Sequence, residues 1–202
     1  MSPAFINGCD WPELHRDAYR PRDTVKDDAE VPRIGRLETT AMILELLPGA
    51  GVATLRLGMS AGEAVAAARE VGFTPSDPDI GDAPGQVLCG HEQSRTEFNL
   101  GFSKGALTDI HVYRFQVEDA DVTVVLDGLD IFRTPEEELL ENLENRGHTV
   151  EQNDDGVDTL PDLKMILSNE SSFAYPMDGE GEPIYFDYVL VTSVNFFGPR
   201  GD

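Results

Sequence analysis

Basic residues are scarce in this chain. Its 15 Lys and Arg face 38 Asp and Glu, for a formal net charge of −23 at pH 7. A polyanion is repelled by phosphate backbones and by anionic lipid. Nucleic acid and membrane surfaces are therefore not expected partners, whereas a basic protein partner is compatible with the charge. Cysteine is nearly missing: Cys9 and Cys89 supply neither a disulfide framework nor a paired metal-ligand spacing. Long apolar runs are missing as well. No stretch approaches the roughly 18 apolar residues of a membrane span. Met1–Asn7 lacks the basic-then-apolar pattern of a secretion signal. The expected location is the cytoplasm.

Motifs of chemistry are also absent. There is no H-E-x-x-H, no G-x-S-x-G and no P-loop. Gly49-Ala50-Gly51 precedes a strand, whereas a phosphate cradle needs its glycines between a strand and a helix. No cofactor is implied.

What is present is an α+β pattern. Residues 1–36 read as an irregular N-terminal arm, because Pro3, Pro12, Pro21 and Pro32 interrupt any helix. Two similar halves follow, 37–127 and 128–202, each predicted as a capped helix packed on antiparallel strands. They could equally form one continuous domain. In the first, Leu37–Leu47 reads as a short apolar helix stopped by Pro48-Gly49. Ser60-Ala61-Gly62-Glu63 then forms a capping box, and its helix ends at Gly72. In the second, Thr134-Pro135-Glu136-Glu137 repeats the box, with proline at the first helical position and an end at Gly147. Cap-to-glycine spacings of 12 and 13 residues match, and the copies lie 74 residues apart, the scale of a duplicated half-domain.

Strand patterns follow each helix. Thr96–Phe102 alternates with period two, Ser103–Ala106 reads as a hairpin turn, and Leu107–Phe115 returns. On that return strand Ile110 and Val112 share one face, and His111, Tyr113 and Phe115 the other. Val122–Leu126, Asp162–Ser168, Ser171–Tyr175 and Tyr185–Val194 are further strand candidates. Helices on one face of an antiparallel sheet would bury both.

Candidate reactive residues are few. In Cys89-Gly90-His91-Glu92 the spacing puts Cys89 and His91 on one face of a strand, which permits contact or shared ligation. His111 lies on an alternating strand. Cys89, His91 and His111 are thus the first catalytic candidates, with ordinary structural positions as the competing reading. His148 follows Gly147, where helix capping is sufficient explanation. Glu151–Asp158 resembles half a calcium-binding EF-hand loop, with Gly156 in the sharp-turn slot. Asn153, Asp155 and Asp158 are its candidate metal ligands, and a solvated turn is the competing reading. Arg200-Gly201-Asp202 is read as a coincidental tripeptide.

Leu57-Gly58-Met59-Ser60, the helix after it and Gly72 resemble the helix entry shared by the beta-lactamase-inhibitory-protein family and small barrel-assembly lipoproteins. The resemblance implies short helices paired with antiparallel strands, in tandem, and a role in binding other proteins. Gly128–Phe132 with Thr134-Pro135, and Tyr185–Val191, resemble a family of uncharacterised actinobacterial α+β proteins. From Glu118 to Asp202 there are 21 acids and 4 bases, a net of −17. That charge and the missing chemistry lead to one expectation: a non-enzymatic acidic protein-binding module, immunity/antitoxin-like or inhibitor-like. The alternatives are a small-molecule binder or enzyme using a pocket between sheet and helices, and a homodimer joined by sheet edges.

Overall fold

The computed structural model describes residues 41–81, 84–153, 157–169 and 176–193. Among these, two helices and thirteen strands form a mixed α+β fold that is mostly sheet. The small sheet has the order β3-β2-β1-β8-β9, with β1 Met42–Leu47, β2 Gly51–Val52, β3 Leu55–Arg56, β8 Val122–Leu126 and β9 Leu129–Asp130. The large sheet has the order β10-β11-β12-β13-β7-β6-β5-β4. Its strands are β4 Thr74–Pro75, β5 Gln86–Gly90, β6 Glu97–Ser103, β7 Ala106–Tyr113, β10 Glu151–Gln152, β11 Asp158–Leu160, β12 Met165–Ser168 and β13 Tyr188–Thr192. The large sheet is antiparallel throughout, whereas β1 and β8 run parallel.

Residues 42–47 form a strand, not the helix that their apolar content predicts. The period decides it: Leu44 and Leu46 are buried, Glu45 is exposed and Ile43 is 64% exposed. This alternation suits a half-buried strand, and pairing from Met42↔Val122 to Glu45↔Val125 satisfies its backbone.

α1 (Ala61–Glu70) starts where the capping box places it. Ser60 Oγ accepts from Glu63 N at 3.4 Å, and Glu63 Oε2 accepts from Ser60 N at 2.9 Å. Its small apolar face, Ala64, Val65, Ala67 and Ala68, lies buried against β3, β4, β5 and β7. α2 (Glu136–Asn145) docks through Leu139 and Leu143. The predicted second box does not form. Pro135 is the N-cap and no side chain caps the helix. The first helical bond, Leu139 N to Pro135 O at 2.8 Å, starts one residue after Thr134 and so takes the threonine out of capping register. Both helices end as their glycines require. Phe73 N reaches Ala68 O at 3.0 Å and His148 N reaches Leu143 O at 3.1 Å, around Gly72 (φ +85°) and Gly147 (φ +91°).

The β6–β7 hairpin turns at Lys104-Gly105 and carries a bulge: Gly101 pairs with Asp109 but Phe102 with Leu107, leaving Thr108 as the extra residue. The bulge lets Leu107 and Ile110, three apart, both face the core. Two further expectations are corrected. The strand ends at Tyr113, so Phe115 escapes the alternation and packs inside, 6.5 Å from the Phe132 ring. β12 starts at Met165 because Asp162–Lys164 belong to a turn, and β13 spans only Tyr188–Thr192 within the predicted run. Ser171–Tyr175 and Val194 lie outside the described residues, as does the arm.

The strand pairing does not divide at residues 127 and 128. β8 and β9 form a hairpin across that point, and β13 lies between β12 and β7. One buried cluster runs through both sheets and both helices, from Leu44 and Val124 to Phe98, Ile110, Leu139 and Val191. At its edge sits Arg114, 1% exposed, a residue the sequence pattern does not announce. Its Nη2 donates to Glu118 Oε2 at 2.9 Å, its Nε to Phe132 O at 3.0 Å, and its guanidinium lies 4.4 Å from the Phe115 ring centroid. This multiple engagement makes burial of the charge tolerable. Neither described helix is long and apolar enough to cross a membrane.

The asymmetry between the helix starts is testable. Ser60→Ala is expected to cost about 1 kcal/mol in urea unfolding, and Thr134→Ala less than about 0.5 kcal/mol. Equal losses would restore Thr134 as a cap.

Candidate functional site

On the face of the large sheet turned away from the core, β6, β7 and β13 bring together Asn99, Asp109, His111 and Tyr188. The bulge re-aims the start of this set. Thr108 Oγ1 lies 2.6 Å from Asp109 Oδ2, to which it donates, and 3.2 Å from Gly101 O. Gly101 stands opposite Asp109, and a Cβ there would sit 1.9 Å from Asp109 Oδ1, so only glycine leaves room for the carboxylate. Asp109 Oδ1 is 2.9 Å from His111 Nε2, and His111 Nδ1 is 2.7 Å from Tyr188 Oη.

A carboxylate only accepts, so Nε2 carries a hydrogen toward Asp109; Nδ1 accepts from the Tyr188 hydroxyl in the neutral ring and donates to it in the imidazolium. The hydrogen bond from His111 holds the Asp109 carboxyl below its usual range, against partial burial that pushes it up; Thr108 and the His111 charge add to the lowering. Asp109 and His111 side chains are about a quarter exposed, 24% and 25%. Asn99 pairs across the strands with His111, and its buried Oδ1 has no hydrogen-bond partner among the described residues. The Tyr188 ring lies 5.7 Å from His111 and 5.4 Å from Tyr113. An oriented imidazole in contact with a phenol can polarise that hydroxyl or bind a polar group beside it.

The other catalytic candidates lie elsewhere. Cys89 is fully buried on the core face, opposite Phe98, and burial pushes its thiol up to about 11 despite the nearby Arg69 charge. A thiol this protonated is inert. His91 follows β5. Its Nδ1 is 2.7 Å from Ser94 Oγ, which is 2.8 Å from Thr96 Oγ1, and its ring lies 5.5 Å from Phe73. Burial lowers its pKa, which favours the neutral ring, and its backbone closes the loop from His91 to Thr96. Cys89 and His111 thus occupy opposite faces of the sheet.

The EF-hand-like segment is flanked by the antiparallel strands β10 and β11. Asn153 Oδ1 accepts from Val157 N at 2.9 Å, Asp155 lies outside the described residues, and Asp158 points inward from β11, 1% exposed. Among the described residues no three His, Cys, Asp or Glu side chains converge to hold a metal. The His148 side chain binds Asp162 Oδ2 through Nδ1 at 2.8 Å, while its backbone N–H closes α2 on Leu143 O.

Sequence reasoning finds His111 but misses its partners. Asp109 at i−2 on the same strand was the available signal. Tyr188 is distant in the chain and no local pattern marks it. Compared with known proteins, the chain matches no family model, no curated protein and no solved structure.

The lowered Asp109 pKa carries a sign. Its stabilisation is fully present at neutral pH and is lost as pH falls through the ordinary carboxylate range towards the folded-state value. Asp109→Asn is expected to lower stability at pH 7 and to flatten the acid limb of the stability–pH curve. An acid limb unchanged in the variant would contradict the assignment.

Proposed function

We propose that the protein is a non-enzymatic, acidic protein-binding module of the cytoplasm, inhibitor- or immunity/antitoxin-like, that engages a basic protein partner. One observation carries this reading. α2 exposes Glu137, Glu138, Glu141 and Glu144, and no base stands in its last turn. Glu137–Glu141, Glu138–Glu141 and Glu141–Glu144 are like-charge neighbours at helical spacing, together worth about 1 kcal/mol of destabilisation. Glu144 also faces the negative end of the helix dipole. The dipole favours Glu137 and Glu138 in the first turn but not Glu141 and Glu144, and charge placed there where neutral residues would serve points to selection for recognition. The resemblance to tandem helix-and-strand binding proteins supports the same reading. It takes the chain as two such units fused through β7 and β13.

A second reading, a small-molecule binder or an enzyme, is favoured by the Asp109–His111–Tyr188 chain and the unpaired Asn99 oxygen. The two are separable. The test is co-purification at about 50 mM and about 500 mM salt, where screening shortens the reach of exposed charges. A Glu141→Gln, Glu144→Gln variant is expected to unfold at equal or higher temperature and to lose affinity for its partner at least tenfold. His111→Gln is expected to keep the partner. A partner indifferent to both salt and the glutamine variant, or no partner at all, would defeat the first reading.

A further inference from the structure

Three rings stand together on the outer face of the large sheet. Tyr113 and Tyr188 are cross-strand partners on β7 and β13, with ring centroids 5.4 Å apart and planes inclined at 51°. His111, two residues before Tyr113, lies 5.7 Å from the Tyr188 ring at 50°. These contacts differ from that of Phe73 and Phe98 in the core, whose rings stack at 4.0 Å and 11° and are wholly buried. Tilted rings meet as a corner, and all three residues are half-buried, so part of each faces outward. Negative charge flanks the corner on both sides. Asp109 accepts from His111 Nε2 at 2.9 Å, and Glu97 stands opposite Tyr113 on β6, on the same face. The ring faces add the negative lobe of the π quadrupole.

We infer that this corner binds a small organic cation of the quaternary ammonium class. The inference rests on the small-molecule reading of this face and uses none of the α2 glutamates. Ring faces and nearby carboxylates attract any cation, and the engaged polar groups select its kind. Asp109 Oδ1 accepts from His111 and Oδ2 from Thr108. The Tyr188 hydroxyl is bonded to His111 Nδ1, and Asn99 Oδ1, though unpaired among the described residues, is buried. A primary ammonium or a guanidinium brings several N–H donors that lose water and need acceptors in return. A quaternary ammonium has no N–H and needs only the rings and the charge. The topology selects a small ligand over a peptide. β6, β7 and β13 are interior strands, each with neighbours on both sides, so no open main-chain edge runs beside the corner to pair with an extended chain.

The experiment follows the tyrosine ring resonances of the full chain by NMR as choline chloride is added, against NaCl of equal ionic strength. Choline is expected to shift the Tyr113 and Tyr188 rings saturably. Its neutral isostere 3,3-dimethylbutanol is expected to bind about threefold more weakly or worse, which isolates the charge. Tyr113→Leu and Tyr188→Leu are each expected to weaken choline by about threefold or more, whereas Tyr113→Phe, which keeps the ring, retains it. Rings that respond to the isostere as strongly as to choline would overturn the inference, whether or not the leucine variants fold, and leave the small-molecule reading standing. Rings silent to both would overturn the inference and remove its support from that reading. Tighter binding of butylamine than of choline would assign the corner to a primary ammonium and overturn it. Tighter binding of a trimethyl-lysine peptide would assign it to a protein and overturn it equally.

Discussion

The pairing of β13 with β7 is the constraint on which the rest depends. Five residues, from Tyr188↔Tyr113 to Thr192↔Asp109, join strands far apart in the chain. The register puts Val189 and Val191 on the core side with Val112 and Ile110, and Tyr188 on the other face within reach of His111. Just beyond the ladder, Asp187 O accepts from Arg114 N at 2.8 Å, which continues the seam past the strand end. A slip by one residue would turn the valines outward and remove the phenol from the imidazole. Contacts of such long range close large loops, so this seam is the expected late and costly event in folding.

What the sequence disclosed was local. The Ser60–Glu63 box, the closing glycines Gly72 and Gly147, and the β6–β7 turn each depend on a few neighbouring residues and stand as read. The failures have physical causes. Leu37–Leu47 reads as a helix by apolar content, whereas Leu44 and Leu46 alternating with Ile43 and Glu45 carry the strand. Thr134 fits a capping motif, but the chain bends into the helix one residue later. Phe115 follows the parity of β7 on paper but lies past its end, where parity no longer binds. The site shows the same division. His111 was legible as a histidine on a half-buried strand, whereas its phenol partner comes from a strand that only tertiary pairing places there. Cys89, the most reactive residue type in the chain, is silenced by facing the core.

Charge follows a consistent logic. Several of the few bases are engaged by the chain itself. Arg114 holds Glu118 and Phe132 O. Arg133 binds Val122 O and, at 2.7 Å, Ala120 O, and lies 4.1 Å from the Phe115 ring. Arg146 reaches Asp127. These contacts fix the chain between β7 and α2, and no ion pair among the described residues reaches Glu137, Glu138, Glu141 or Glu144. Among the described residues no ion pair reaches Asp158 or Glu136 either. Excess acid is therefore a feature both of the exposed face of α2 and of buried positions such as Asp158.

Native-state hydrogen exchange of the β7 and β13 amides tests the central claim most directly. If the seam unites the large sheet, amides of both strands exchange only through global unfolding, with matching free energies and a matching response to denaturant. Exchange of β11, β12 and β13 as a separate, less stable unit while β7 stays protected would contradict it, and would return the chain to two independent halves.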